Sequence, residues 1–346
     1  MRSVVIHAAG DLRVEERETG PSVPGPGQVL IGIEAGGICG SDLHYYNHGG
    51  FGDVRLREPM ILGHEVAGRI EALGAGVEGL TPGQLVAVSP SRPCGRCRFC
   101  RDGRPNHCLD MRFYGSAMPF PHIQGAFRQK LVAEAWQCAP ADGLSAGEAA
   151  MAEPLAVALH AAHRAGPLLG RSVLVTGCGP IGLLSVLVAR RAGADLVVAT
   201  DLSDFTLAKA EEIGADAVRR AGPGALSDFE ARKGTFDMLF ECSGAASALR
   251  GAVPAIRPGG TIVQLGLGGD MDLPVQAMTA KELSLTGSFR FHDEFFTGVR
   301  LMRKGLIEVL PLITHTFALD EAETAFRTAA DRGRAVKAQI SFSGTG

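Results

Sequence analysis

The second half of the chain alternates short apolar runs with helical stretches. Val173-Leu174-Val175-Thr176 reads as a strand, Pro180 to Arg191 as a helix, Leu196-Val197-Val198-Ala199-Thr200 as a strand, and about Ser203 to Ile213 as a helix. Phe236-Asp237-Met238-Leu239-Phe240 and Thr261-Ile262-Val263-Gln264-Leu265 read as further strands. Continuous apolar strands separated by helices predict a parallel sheet covered on both faces. The first 150 residues have a different texture. Short strands such as Gln28-Val29-Leu30-Ile31-Gly32-Ile33 and Leu85-Val86-Ala87-Val88 alternate with the turns Pro24-Gly25-Pro26-Gly27 and Thr81-Pro82-Gly83, which predicts an irregular β-rich domain. Ser145 to His163 is Ala-rich and helical in pattern. From about Phe289 the chain returns to mixed structure and closes with a helix, Asp320 to Asp331, and a strand, Val336 to Phe342. The expected fold class is α/β, with residues 1–150 as the β-rich domain, 151–288 as a doubly wound parallel sheet, and 289–346 as a return to the first domain.

At 346 residues the chain can bury two cores. Hydrophobic residues at 46%, charged residues at 21% and a formal net charge of -3 fit a soluble globular protein and give no basis for binding nucleic acid or an anionic membrane. Ser172 to Ala189 is uncharged and approaches the length of a membrane span, but Gly177, Gly179, Pro180 and Gly182 interrupt it. The N-terminal MRSVVIHAAGDLRVEE has no apolar core before a cleavage site, so a cytoplasmic location is expected.

Eight cysteines change the picture. Cys94, Cys97, Cys100 and Cys108 stand as C-x2-C-x2-C-x7-C, and four thiolates so spaced can close a tetrahedral shell around Zn²⁺. Such a site is structural, and the arginines of PCGRCRFCRDGRPNHC can offset its negative charge. A pair of disulfides is the alternative, although a chain of this size without a secretory signal has little need of them. Cys138, Cys178 and Cys242 read as small buried side chains.

Gly177-Cys178-Gly179-Pro180-Ile181-Gly182 is a G-x-G-x-x-G that follows a strand, opens a helix and is followed nineteen residues later by Asp201. That context marks a dinucleotide site, with the pyrophosphate on the helix N-terminus and Asp201 on the adenosine ribose. An Asp repels a 2′-phosphate and Leu202 and Ser203 offer no cation, so NAD is expected over NADP. A second metal set is also visible. Cys39, His64, Glu65 and Glu153 lie in Gly- or Pro-flanked segments, and Cys, His and carboxylate make a plausible three-ligand site with one position open.

Taken together, Cys39-Gly40-Ser41-Asp42, Gly63-His64-Glu65, the four-cysteine cluster, Glu153-Pro154 and the Gly177 fingerprint resemble the zinc-dependent medium-chain dehydrogenases from end to end. Glu153 resembles the polyol branch, such as sorbitol dehydrogenase. Met111 to Met118, Phe120-Pro121-His122 and Gly287 to Phe291 look closer still to L-idonate 5-dehydrogenase. The resemblance implies a GroES-like catalytic domain, a Rossmann domain, and two zinc ions per chain. Cys39 and His64 would hold the catalytic zinc with Glu65 or Glu153 as third ligand, which the sequence leaves open. Ser41 and His44 would relay the substrate proton. Tyr45, Phe113 and Arg290 would line the polyol pocket. Ile181, Leu265 to Leu267, Ser288, Phe289 and Arg290 would contact the cofactor. Thr206 would join them near the adenosine ribose, at a position where the family often carries a basic residue.

The implied reaction is oxidation of a secondary alcohol in a polyol or sugar acid with NAD, with L-idonate to 5-ketogluconate as the specific reading. A sugar acid needs a cation, and Arg112, His122, Arg290 and His292 are the candidates. A neutral polyol such as sorbitol or xylitol is the alternative substrate. A non-catalytic NAD(H) sensor and a zinc-ribbon interaction module are alternatives of other classes. Family analogy implies a homo-oligomer, a dimer or tetramer.

Overall fold

The computed structural model describes residues 1–17 and 23–343; residues 18–22 and 344–346 of the expected outer domains lie outside it. A six-stranded parallel sheet runs in the order Ala217–Arg220, Leu196–Asp201, Ser172–Thr176, Phe236–Glu241, Ile256–Gln264, Ser284–Gly287. Numbered along the chain this is 3-2-1-4-5-6, the doubly wound order, whose direction reverses between Ser172–Thr176 and Phe236–Glu241. Ligands bind outside the carboxyl ends of the strands at that reversal. The central strands are apolar at nearly every position because both faces are covered: Val173, Leu174, Val175, Val197 and Leu239 are fully buried. Each such side chain contributes about 1.5–3 kcal/mol by leaving water.

The uncharged run resolves into the strand Ser172–Thr176 and the helix Pro180–Arg191. No helix among the described residues is long and apolar enough to cross a membrane. Ala217–Arg220 and Ser284–Gly287 were not legible as strands. They are the edges of the sheet, paired on one side only, and carry no apolar run.

A mixed sheet of seven strands carries the other half. Its order is Cys138–Pro140, Leu85–Val88, Glu65–Leu73, Gln28–Gly37, Lys337–Ser341, Ile313–Ala318, with Lys130–Glu134 also paired to Gln28–Gly37. The C-terminal strands therefore join a sheet built by the first 140 residues. Lys337–Ser341 pairs antiparallel with Gln28–Gly37, which brings Lys337 beside the start of Glu65–Leu73.

The expected helix from Ser145 to His163 is two helices, Ala146–Ala150 and Ala152–Ala165, meeting at Met151. Pro154 gives the reason. It lacks an amide proton and is tolerated only in a helix's first turn, so a new helix begins just ahead of it. Ser145 and Glu148 form a capping box on the first helix. The second starts with Glu153 in its first turn and packs on Pro180–Arg191 and on Glu294–Arg303.

The seam with Glu294–Arg303 is polar at one end. Glu294 Oε1 lies 2.9 Å from both His160 Nδ1 and His163 Nδ1, and Glu294 Oε2 accepts from the His292 amide at 2.8 Å. Burial alone would raise this carboxyl, but hydrogen bonds from His160, the His292 amide and His163 hold it well below its ordinary value of 4.5. A carboxyl depressed in the folded state contributes stability that is present above its unfolded pKa and lost as pH falls. Glu294→Gln is expected to lower stability at pH 7 by about 1–2 kcal/mol. It should also flatten the acid limb that the wild type shows below pH 4.5. Urea unfolding at pH 7 and pH 4 checks both.

Candidate active site

Helix Gly40–His48 places three of the expected residues. Cys39 is its N-cap, and the Asp42 side chain reaches back so that Oδ2 accepts from the Cys39 amide at 3.0 Å. The second Asp42 oxygen, Oδ1, accepts from the Gly63 amide at 3.2 Å and lies 3.7 Å from His64 Nδ1. One fully buried carboxylate thus ties the Cys39 turn to the Gly63-His64 turn. Ser41 and His44, three positions apart on this helix, both line the cleft between the two sheets.

The donor atoms of Cys39, His64 and Glu65 lie within 4.8 Å of one another. His64 is buried and its Nδ1 has no hydrogen-bond partner. Burial pushes the Cys39 thiol up to about 11 and the Glu153 carboxyl up to about 8. A soft sulfur, an imidazole and buried carboxylates that resist ionising alone are the donor set a divalent zinc satisfies. The two carboxylates differ. Glu65 accepts from Lys337 Nζ through both oxygens, at 2.8 and 2.7 Å, and Lys337 also donates to the Ile38 carbonyl at 3.1 Å. Glu153 lines the same cleft and makes no ion pair within 4 Å among the described residues, although His64 and Lys337 favour its charged form. Glu65 belongs to the converging donor group with Cys39 and His64, and Glu153 stands outside it.

Cys94, Cys97, Cys100 and Cys108 also bring their sulfurs within 4.8 Å of one another. All four are free thiols, with Cys97 and Cys100 sulfurs 3.5 Å apart, far beyond a disulfide bond. Backbone amides point at the sulfurs, Cys94 N to Cys108 Sγ at 3.1 Å and Asp110 N to the same atom at 3.4 Å. Amides of Leu109 and Cys100 bring the Cys97 thiol down to about 6. These are features of a thiolate metal site.

The cleft has a volume of about 380 Å³ and runs from the Cys39 and His64 turns to the glycine-rich loop. Gly177 has φ 86, a left-handed conformation. A Cβ on Gly182 would collide with the Gly177 carbonyl, so this helix can approach the strand only as glycine. Asp201 Oδ2 accepts from the Cys178 amide at 2.6 Å and Oδ1 from the Ser203 amide at 2.9 Å, so the carboxylate orders the loop it follows. Its remaining lone pairs are free to accept ribose hydroxyls. Gly179, Ile181, Gly182, Leu265, Leu267, Ser288, Phe289 and Arg290 line the cleft, and the buried Ser288 hydroxyl has no partner. An unpartnered hydroxyl beside a bare helix N-terminus fits a polar anionic cofactor.

Residues 25–143 match the alcohol dehydrogenase GroES-like domain, and residues 180–304 match the zinc-binding dehydrogenase domain. The chain is 42% identical over 316 residues to the L-idonate 5-dehydrogenase (NAD(P)(+)) of Escherichia coli K12, covering 91% of this chain and 92% of that enzyme. It is 38% identical over 344 residues to the sorbitol dehydrogenase of Gallus gallus, covering 98% and 95%. The chain belongs to the zinc-dependent medium-chain dehydrogenases. The crystal structure of the E. coli L-idonate 5-dehydrogenase superposes on it with a TM-score of 0.93 at 40% identity, covering 98% of this chain and 97% of that one. This dehydrogenase therefore works with zinc and a nicotinamide dinucleotide.

Of the four cations proposed for an acid group, the fold brings only Arg290 into the cleft. Arg112 is exposed, and its neighbour on the same short strand, Phe113, lines the cleft in its place. His122 is buried elsewhere, its Nε2 accepting from the Arg57 amide at 2.9 Å. His292 lies 3.3 Å from Asp293. Thr206 departs from expectation too. It is 2% exposed and donates its hydroxyl to the Ser203 carbonyl at 3.1 Å, which closes the first turn of its own helix instead of facing a ribose.

Three residues of the dehydrogenase site escaped the sequence. Asp42 was legible only as part of a motif. Lys337 is the one charged residue of the strand Lys337–Ser341, and nothing near it in sequence marks its partner. Arg332 places a guanidinium nitrogen 2.8 Å from where a Gly179 side chain would begin, directly over the glycine loop.

Two separable metal sites give a direct expectation. Zinc analysis should find two ions per chain, one for each donor group. Cys39→Ala and Cys97→Ala should each leave one. Only Cys97→Ala should lower Tm, by roughly 5 °C or more, because a closed thiolate site contributes folding energy.

Proposed function

We propose that this dehydrogenase oxidises a secondary alcohol of a sugar acid with NAD, with L-idonate to 5-ketogluconate as the specific reaction. Arg290 carries the reading. Its guanidinium lies 4.6 Å from the Phe113 ring centre and 4.9 Å from that of Phe289, with Met118 Sδ at 3.4 Å from Nη2. No carboxylate among the described residues forms an ion pair with it. Burial lowers its pKa, partly offset by Glu153 and Tyr45 nearby. A guanidinium with an apolar seat and no ion-paired carboxylate is built to take a carboxylate bidentately. The E. coli relative named for L-idonate supports this choice.

The residues then have these roles. Cys39, His64 and Glu65, whose donor atoms converge, would hold the catalytic zinc, and Glu153 lines the cleft beside them. A zinc ion so held supplies a Lewis acid that lowers the pKa of the substrate hydroxyl. Ser41 accepts the hydroxyl proton and passes it toward His44. Burial, with His48 and Arg332 nearby, lowers the His44 pKa, so its imidazole is neutral and can accept that proton at pH 7. Tyr45, held by the Ala117 amide at 3.0 Å, and Phe113 shape the wall that keeps water out. A nicotinamide cofactor bound in this cleft would supply the hydride acceptor. Asp201 selects NAD by repelling a 2′-phosphate. The enzyme is read as a cytoplasmic homo-oligomer; the exposed sheet edge at Ser284–Gly287 supports self-association.

A neutral polyol is the second reading, favoured by the sorbitol dehydrogenase relative. The two separate on Arg290→Gln. Removing a charge-assisted contact should cut kcat/KM for L-idonate by about 10–100-fold. Sorbitol turnover should change less than about three-fold. Equal losses would assign Arg290 to the cofactor or the fold and leave the polyol reading. Asp201→Asn should independently raise kcat/KM with NADP while lowering it with NAD; a wild type that already prefers NADP would refute the Asp201 assignment.

A further inference from the structure

The four-cysteine lobe meets the active site at the turn that precedes Cys108. Its turn Pro105–His107 runs directly into Cys108, and the side chain of Asn106, 8% exposed, donates to the Phe289 carbonyl at 3.1 Å. The next residue, His107, stacks on the Phe289 ring with centroids 6.2 Å apart and planes 24° from parallel. Both contacts grip the residue immediately before Arg290.

Arg290 has φ 57, the left-handed region that costs a residue with a Cβ about 1–2 kcal/mol. Its φ is set by the peptide plane between Phe289 and Arg290. The carbonyl of that same peptide is the one Asn106 holds. The hydrogen bond therefore fixes the plane about which Arg290 must turn, and the ring stack fixes the side chain ahead of it. Released, Arg290 would relax toward negative φ and its guanidinium would leave the Phe113 face.

We propose that the metal lobe is a brace for substrate recognition, in which Asn106 and His107 are positioning residues that hold the Phe289–Arg290 turn in its strained form. The proposal rests on the reading of Arg290 as the substrate's cation. It assigns the lobe a role beyond folding: the closed thiolate site makes the Asn106 turn rigid enough to hold a strained residue on a different segment. Such an arrangement predicts a defect in binding rather than in the chemical step, because neither residue touches the reacting atoms.

The test uses the zinc-loaded enzyme and four variants. Asn106→Leu removes the donor at similar size, and His107→Ala, at an exposed position, removes the stack with little risk to folding. Arg290→Gln and Asn106→Leu/Arg290→Gln complete a double-mutant cycle. Zinc content and Tm are measured beside KM, kcat and the calorimetric Kd of L-idonate for the NADH complex. Asn106→Leu should raise KM and Kd for L-idonate by about 5–20-fold, with kcat within about two-fold of wild type, as a lost buried hydrogen bond allows. His107→Ala should shift them the same way by about 2–3-fold. Sorbitol KM should move little, and the double variant should be no worse than Arg290→Gln alone. If Arg290→Gln is selective for the acid but Asn106→Leu and His107→Ala bind L-idonate as wild type does, the brace is overturned. Additive losses in the double variant overturn it as well. If Arg290→Gln is not selective for the acid, the reading of Arg290 fails and the brace fails with it.

Discussion

The site depends on a single buried carboxylate. Asp42 has no exposure to solvent, and each of its oxygens holds a backbone amide from a different turn, Cys39 on one side and Gly63 on the other. Burial pushes its pKa above the ordinary value, and His64 and the Cys39 and Gly63 amides pull back toward the charged form. The Cys39 sulfur and the His64 ring converge because the backbones that carry them are pinned to the same group. Removing one partner from a buried charged network leaves the others unsatisfied, which is costly. A second buried interaction, Lys337 with Glu65, ties the last strand of the chain to the same point. Together they give three distant segments one common geometry, and the metal donors inherit it.

From that fixed point the division of labour follows. The mixed sheet supplies the donors and the proton path, and the parallel sheet supplies the glycine loop at its reversal point. The cleft lies where they meet, so a substrate alcohol placed against Cys39 and His64 faces the cofactor position beside Gly179 and Ser288. Arg290 lies against Phe113 in the same cleft. Positioning of this kind, with water excluded, accounts for much of what such an enzyme must do.

Features whose chemistry is local in sequence were legible. The glycine fingerprint, the four-cysteine spacing and the central strands each lie within one short segment, and their boundaries fall within a few residues of expectation. Features that depend on distant residues were not. Glu65 and Lys337 are 272 residues apart, so nothing local marks their pairing. Arg112, His122 and His292 looked equivalent to Arg290 because composition does not show which way a loop faces; only the last enters the cleft. Thr206 was placed near the adenosine ribose by resemblance alone, and its hydroxyl closes its own helix turn. The break at Met151 was available in the sequence, since Pro154 could only sit in a first turn.

One measurement bears most directly on the whole account. The wild-type, zinc-loaded enzyme is assayed for reduced cofactor formation with L-idonate, sorbitol and xylitol, each with NAD and with NADP. The account predicts the highest kcat/KM for L-idonate with NAD. Faster oxidation of sorbitol than of L-idonate would contradict the sugar-acid reading, and no turnover of any of the three with either cofactor would contradict the catalytic reading of the cleft.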